Sequence, residues 1–248
     1  MSTVNYRVAD LTRDEFKNAI QDGRWLLLPF GSVEQHGPHL PLGTDLFYAE
    51  YVCDRVAPLV NALVAPGLAY GICRTMRNFP GTVSLSSSTF SALVHEILAE
   101  YVRHRAKKIA MIGGHAEPAQ DAALREAALP LVNADPKLIV VSIGPYDFLE
   151  PIRRETDLTK TDGHAGSIET SQMLVIAPDR IHMDRVPAVT RPALSRFRIL
   201  ANPESEFSTG VRGDTSKISR ELGERSLEYI VAAIVRLLRT LDEKGAES

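Results

Sequence analysis

The sequence predicts an α/β/α layered domain on a mostly parallel sheet. Short apolar runs, each closed by Gly, Pro or a charged turn, recur at Trp25–Phe30, Ala62–Ala65, Lys108–Ile112 and Leu138–Ile143. Between them lie longer segments whose apolar residues repeat at helical spacing. Strands alternating with helices in this way give a parallel sheet covered on both faces, with right-handed crossovers. The composition, 44% hydrophobic and 24% charged over 248 residues, suits one folded domain spanning residues 1–248 with a sizeable core.

Taken in order, Leu11–Ile20 reads as a short helix with Thr12 as its cap ahead of Arg13-Asp14-Glu15. Trp25–Phe30 is the first strand. A helix starts at Thr44 or Asp45 and runs to about Val60, with Phe47, Tyr48, Tyr51, Val52 and Val56 near one face. Ala62–Ala65 is a second strand, and Leu68–Ser88 a long irregular stretch. Phe90, Leu93, Val94, Ile97, Leu98, Tyr101 and Val102 form a helical stripe, with Ser87, Ser88 and Thr89 as available caps. After the third strand, a helix runs from about Ala119 to Val132, and Pro130 threatens to end it early. The fourth strand leads into a charged loop, Tyr146–Gly163. A helix then begins at Gly166 or Ser167 and ends at Ile176. Val186–Ser208 is irregular, and a final helix runs from Thr215 or Ser216 to Leu241.

Net charge is -3 and the isoelectric point about 6.2, which gives no reason to expect a nucleic-acid partner. No apolar run is long enough to span a bilayer. Two cysteines, Cys53 and Cys73, form neither a CxxC pair nor a disulfide framework. With no apolar leader core in Met1–Asp10, a cytoplasmic chain with free thiols is expected.

Chemistry concentrates at two strand ends. Glu34-Gln35-His36 follows the first strand and His115-Ala116-Glu117 the third. Residues two apart in extended chain point the same way, so each pair offers one oxygen and one nitrogen to a common cavity. Asp45 adds a carboxylate able to bridge two cations. Glu34 with His115 and His36 with Glu117, Asp45 between them, would hold two ions with open positions. Nitrogen and oxygen donors without thiolate suit zinc or manganese. A third element, Asp162-Gly163-His164-Ala165-Gly166-Ser167-Ile168-Glu169, places His164 before a helix as a general acid. Glu169 would orient that imidazole or hold water. Arg74 and Arg77, in the long loop, are candidates to clamp an anionic substrate group. His39 reads as a loop-packing residue, and His95, His104 and His182 carry no expected chemistry. Like Arg74 and Arg77, Arg153, Arg154 and Lys160 lie in loops; most of these five cations read as solvated, and one or two could clamp a carboxylate or phosphate.

Together, Gly31-Ser32-Val33-Glu34-Gln35-His36-Gly37-Pro38-His39-Leu40-Pro41 with Thr44-Asp45, Phe79-Pro80-Gly81-Thr82, Gly114-His115-Ala116-Glu117 and His164-Ala165-Gly166 with Glu169-Thr170-Ser171 resemble the creatininase (creatinine amidohydrolase) family. The resemblance covers about Trp25 to Ile176. It implies a three-layer α/β/α creatininase-like fold, usually in a homohexamer, with two divalent ions per chain, zinc and/or manganese. It also implies Glu34, His36, Asp45, His115 and Glu117 as metal ligands, Asp45 bridging, and His164 as proton donor. The chain departs from true creatininases at Ala116, where they carry an aromatic residue, and at Pro118, where Asn is common. It also lacks their enclosing tryptophans, having only Trp25. Ala116 is therefore a substrate-contact position at which creatinine loses its wall.

The expected activity is hydrolysis of a C–N bond in a small, polar, cyclic amide or formamide by metal-bound hydroxide. One alternative is ring opening of a cyclic ketone or lactone, such as a keto-inositol, in carbohydrate catabolism. A non-enzymatic alternative is a metal-containing binding or assembly subunit.

Overall fold

A computed structural model describes residues 6–158, 162–188, 201–206 and 208–245. Its centre is a four-stranded, fully parallel sheet of β1 (Leu26–Phe30), β2 (Leu63–Val64), β3 (Lys108–Gly113) and β4 (Ile139–Ile143), in the order β2-β1-β3-β4. All five residues of β1 are buried, as a strand covered on both faces requires. Phe30 pairs with Gly113, so β1 and β3 end at the same edge. The loops after them are thereby delivered side by side.

Seven helices flank the sheet among the described residues: α1 (Arg13–Gln21), α2 (Thr44–Val60), α3 (Ser87–Arg103), α4 (Pro118–Ala134), α5 (Glu150–Glu155), α6 (Ser167–Ile176) and α7 (Arg220–Gly245). Side chains of a strand alternate between faces. Accordingly Leu27, Ala110 and Ile112 pack with Tyr48, Val52, Val56, Ile168, Ile230 and Ile234 from α2, α6 and α7. Leu26, Leu28, Phe30, Ile109 and Met111 pack on the opposite face with Ile20, Phe90, Val94, Leu98 and Leu124 from α1, α3 and α4. The result is the expected three-layer α/β/α arrangement.

Local signals explain several boundaries. Thr12 and Glu15 form a reciprocal capping box at the start of α1. Asn61 adopts the left-handed conformation (φ 51°) just past α2. The cap of α3 is Ser86 rather than Ser87, Ser88 or Thr89: Ser86 is extended, and its Oγ accepts from the Thr89 N–H at 3.1 Å. Pro130 does not end α4, which continues to Ala134; it costs the helix one donor near its last turn. The stretch Tyr146–Gly163 is not wholly loop. Pro145–Phe148 is a 3-10 turn and Glu150–Glu155 is α5, anchored by the buried Leu149 and Ile152.

The last helix starts at Arg220, later than Thr215. The preceding segment is tied to α6 instead: Lys217 N–H donates to Ser167 Oγ and Ser219 N–H to Ser171 Oγ. Most of Val186–Ser208, and Lys160, lie outside the described residues. Cys53 and Cys73 are free and buried. Among the described residues, no helix is long and apolar enough to cross a membrane.

Candidate metal centre

The loops after β1 and β3 meet the first turn of α2. Two glycines permit the approach. A Cβ on Gly31 would lie 2.5 Å from the Leu46 backbone nitrogen, and one on Gly114 would lie 1.9 Å from the Asp45 carbonyl oxygen. His115 is thus set against Asp45 by backbone contact. Asp45 sits in the first turn of α2, where the helix dipole favours a carboxylate.

Three imidazoles converge there, and each is fixed in the same way. One nitrogen of every ring lies against a backbone carbonyl: His36 Nδ1 on Glu34 (3.0 Å), His115 Nε2 on Ile72 (3.0 Å) and His164 Nε2 on Gln35 (2.7 Å). A carbonyl only accepts, so those nitrogens carry hydrogen and donate it. The other nitrogens point at carboxylates. His36 Nε2 is 3.1 Å from Asp45 Oδ1 and 3.8 Å from Glu169 Oε2. His115 Nδ1 is 3.0 Å from Asp45 Oδ2 and 3.3 Å from Glu34 Oε2. His164 Nδ1 is 3.7 Å from Glu34 Oε2. The two oxygens of Asp45 therefore face two different imidazoles, and Ser32 Oγ donates to Oδ2 at 2.5 Å.

The ionic states follow from this packing. Burial pushes the Glu34 carboxyl up to about 7, against the pull of His115. For His36, burial alone would lower the imidazole, but Asp45 and Glu169 raise it to about 10. His115 is likewise raised well above its ordinary value despite burial, chiefly by Asp45. Asp45 is buried too, yet the two imidazoles hold it well below the usual carboxylate range. His164 is driven down by burial and by the neighbouring His36, so it is neutral at pH 7.

This donor set fits cations. Imidazoles with their outer nitrogens tied to carbonyls and their inner nitrogens facing carboxylates form the second-shell pattern of metal-bound histidine. Glu34 Oε2 is buried, and none of the described residues donates a hydrogen bond to it. Ligand atoms of His36, Asp45 and Glu169 lie within 4.8 Å of one another, as do those of Glu34, His36 and His164, and those of Glu34, Cys73 and His115.

A cavity of about 220 Å³ opens over these groups. Glu34, Asp45, His115, Ala116, Glu117, His164 and Glu169 all line it, while His36 is fully buried beneath. Strand-end spacing pairs Glu117 with His36; the ligand atoms grouped with those of His36 and Asp45 include one from Glu169. Glu117 instead lies on the wall, where Thr75 Oγ1 donates to its Oε2 at 3.4 Å. It is the N-cap residue of α4, whose first residue is Pro118. Glu169 is held by the Ala165 N–H (2.6 Å) and the Tyr146 hydroxyl (3.0 Å).

Arg74 and Arg77 are exposed and do not line the cavity; Arg74 bonds Ser87 instead. The arginines on the wall are Arg153 and Arg212, with Asp162 beside Arg153 at 3.6 Å. The sequence motifs do not single out Arg212 or Tyr146, and Arg153 is one of five loop cations of which one or two could clamp an anion. The signal for Tyr146 and Arg153 is their place in a long loop next to the His164 motif; Arg212 has no such signal. Trp25 is 1% exposed and its indole N–H donates to Asp242, away from the cavity.

Residues 9–238 match the family model described as Creatininase: Creatinine amidohydrolase. The chain is 34% identical over 253 residues to the creatinine amidohydrolase of Pseudomonas putida, covering 94% of this chain and 95% of that protein. It is 32% identical over 218 residues to the mycofactocin precursor peptide peptidase of Mycolicibacterium smegmatis, covering 83% and 81%. A solved structure described as creatininase Mn superposes with a TM-score of 0.88 at 30% identity, covering 96% of this chain and 98% of that one. The chain is a member of the creatininase family of metal-dependent hydrolases.

Proposed function

We propose that this protein is a dinuclear metal amidohydrolase that cleaves a C–N bond in a small polar amide or formamide, with creatinine disfavoured. The carrying observation is the convergence of three carbonyl-fixed imidazoles on Glu34, Asp45 and Glu169. Glu34, Asp45 and His115 would hold one zinc or manganese ion, and His36, Asp45 and Glu169 the other, with Asp45 bridging through its two oxygens. Bound there, two such ions polarise a carbonyl and lower the pKa of water.

The chain's own residues do the rest. His164 keeps Nε2–H on the Gln35 carbonyl, so its Nδ1 faces the cavity. A neutral imidazole in that orientation accepts a proton at Nδ1 and returns it to the leaving nitrogen. Arg153, Asp162 and Thr75 give the wall polar groups to orient a substrate. A cavity of about 220 Å³ favours a compact substrate. The described wall contains no tryptophan, and Ala116 leaves open the place an aromatic ring would fill, so a flat creatinine ring gains little stacking. Subunits assembling as a homo-oligomer, and location in the cytoplasm, complete the reading.

The test has two readouts. Elemental mass spectrometry of protein reconstituted at neutral pH should find about two zinc or manganese ions per chain. A panel of cyclic amides, formamides, lactones and keto-inositols should show turnover of an amide, and His164→Ala should remove that turnover while both ions remain. Absence of bound metal refutes the reading. Turnover of only lactones or keto-inositols overturns the bond assignment but not the centre.

A further inference from the structure

We propose that Cys73 is a protein ligand of the ion held by Glu34 and His115, giving that site a thiolate donor and a preference for zinc over manganese. The proposal rests on the dinuclear reading above and adds a donor that strand-end spacing does not supply.

The two cysteines have different surroundings. Cys53 lies on α2 within the apolar cluster of Val52, Val56 and Leu27, where a small hydrophobic side chain is at home. Cys73 is equally inaccessible, but it belongs to none of the three apolar clusters. The Cys73 thiol lies beside the His115 imidazole. Its sulfur lies within 4.8 Å of ligand atoms of both Glu34 and His115. Glu34, whose buried Oε2 receives no hydrogen bond from the described residues and lies 3.3 Å from His115 Nδ1, belongs to this same triple.

The backbone around Cys73 is fixed as a ligand-bearing segment needs to be. Gly71 bridges to Ser84, Ile72 N–H donates to Gln120 Oε1 (2.9 Å), and Cys73 N–H donates to Ser84 Oγ (2.9 Å). The carbonyl of Ile72 is the acceptor that fixes His115. One dipeptide therefore orients the imidazole with its first residue and sets a sulfur beside it with its second.

On binding, the thiol gives its proton to solvent and the thiolate donates to the cation; no oxidant is needed. Sulfur donors favour zinc, whereas manganese favours oxygen. The site would then be mixed, one ion with sulfur among its ligands and the other with nitrogen and oxygen only.

X-ray absorption at the zinc edge of the reconstituted full-length protein tests this directly. A sulfur scatterer at about 2.3 Å is expected, retained in Cys53→Ser and lost in Cys73→Ser. Cobalt loaded in place of zinc should show a thiolate-to-cobalt charge-transfer band that vanishes only in Cys73→Ser. That variant should also lose zinc affinity by at least roughly tenfold, with manganese affinity little changed. Two bound ions with only nitrogen and oxygen scatterers in the unaltered protein would overturn the role of Cys73 and leave the dinuclear reading standing. No bound metal would overturn both.

Discussion

Gly113 and Gly114 are neighbours at the end of β3, yet they should respond oppositely to the same substitution. In Gly114→Ala the new Cβ falls 1.9 Å from the Asp45 carbonyl oxygen, where an ordinary contact begins at 3.4 Å. One segment must retreat by about 1.5 Å. Neither can yield by a rotamer change, because the opposing atom is helix backbone. Overpacking of this kind costs about 3 kcal/mol or more, which for a chain of this size lowers Tm by roughly 6–12 °C. The retreat also separates His115 Nδ1 from Asp45 Oδ2, now 3.0 Å apart. Metal ligands tolerate only about 0.2 Å, so the variant should lose most affinity for the ion between them. In Gly113→Ala the nearest atom is the Ile143 carbonyl oxygen at 3.7 Å, an ordinary contact. Thermal unfolding with and without zinc, and metal content after dialysis, should leave Gly113→Ala near the unaltered protein. Equal Tm and equal metal content in both variants would refute the claim that backbone contact places His115.

Three further outcomes are expected. Glu169→Ala should fall to about one ion per chain while Glu117→Ala keeps both; the reverse pattern in elemental analysis would return Glu117 to the second site. Tyr146→Phe removes one of the two hydrogen bonds that hold Glu169. It should weaken metal binding by roughly tenfold, the scale for outer-shell partners, measured by competition with a chelator. The effect of pH should differ with and without zinc. The His36 pKa, raised to about 10 in the fold, contributes stability that is complete below its unfolded value near 6.5 and is lost as pH rises through 10. Metal needs the neutral imidazole, so the rise in Tm on adding zinc should grow from pH 6 to pH 9, with protons released on binding. A zinc effect independent of pH in calorimetry would mean that His36 and His115 are not the groups displaced.

Much of the centre was legible because it lies where strands end. Period-two spacing after β1 and β3 is enough to place Glu34, His36 and His115 near one another, and the helix start supplies Asp45. Glu117 shows where that reasoning stops. Spacing says that a side chain shares a face with His115, but it does not reveal that the ligand atoms grouped with those of His36 and Asp45 include one from Glu169. Glu169 lies 133 positions beyond His36, and only tertiary packing of α6 against α2 brings the two together. The wall was the least readable part. Arg153, Arg212 and Asp162 sit on segments without a hydrophobic period, so their sequence carries no record of direction. Within Tyr146–Gly163, helix α5 is too short for its apolar pattern to stand out from a loop.

The acceptors that hold the three imidazoles are main-chain carbonyls of Glu34, Gln35 and Ile72. No point substitution deletes a carbonyl. The orientation of the histidines is therefore insulated from drift in side-chain identity, provided the backbone path persists. A scaffold of this kind can exchange the residues around its opening and acquire new substrates without rebuilding the centre underneath. Relatives sharing about a third of their residues, bearing the names of a creatinine hydrolase and a peptide peptidase, are what such insulation permits.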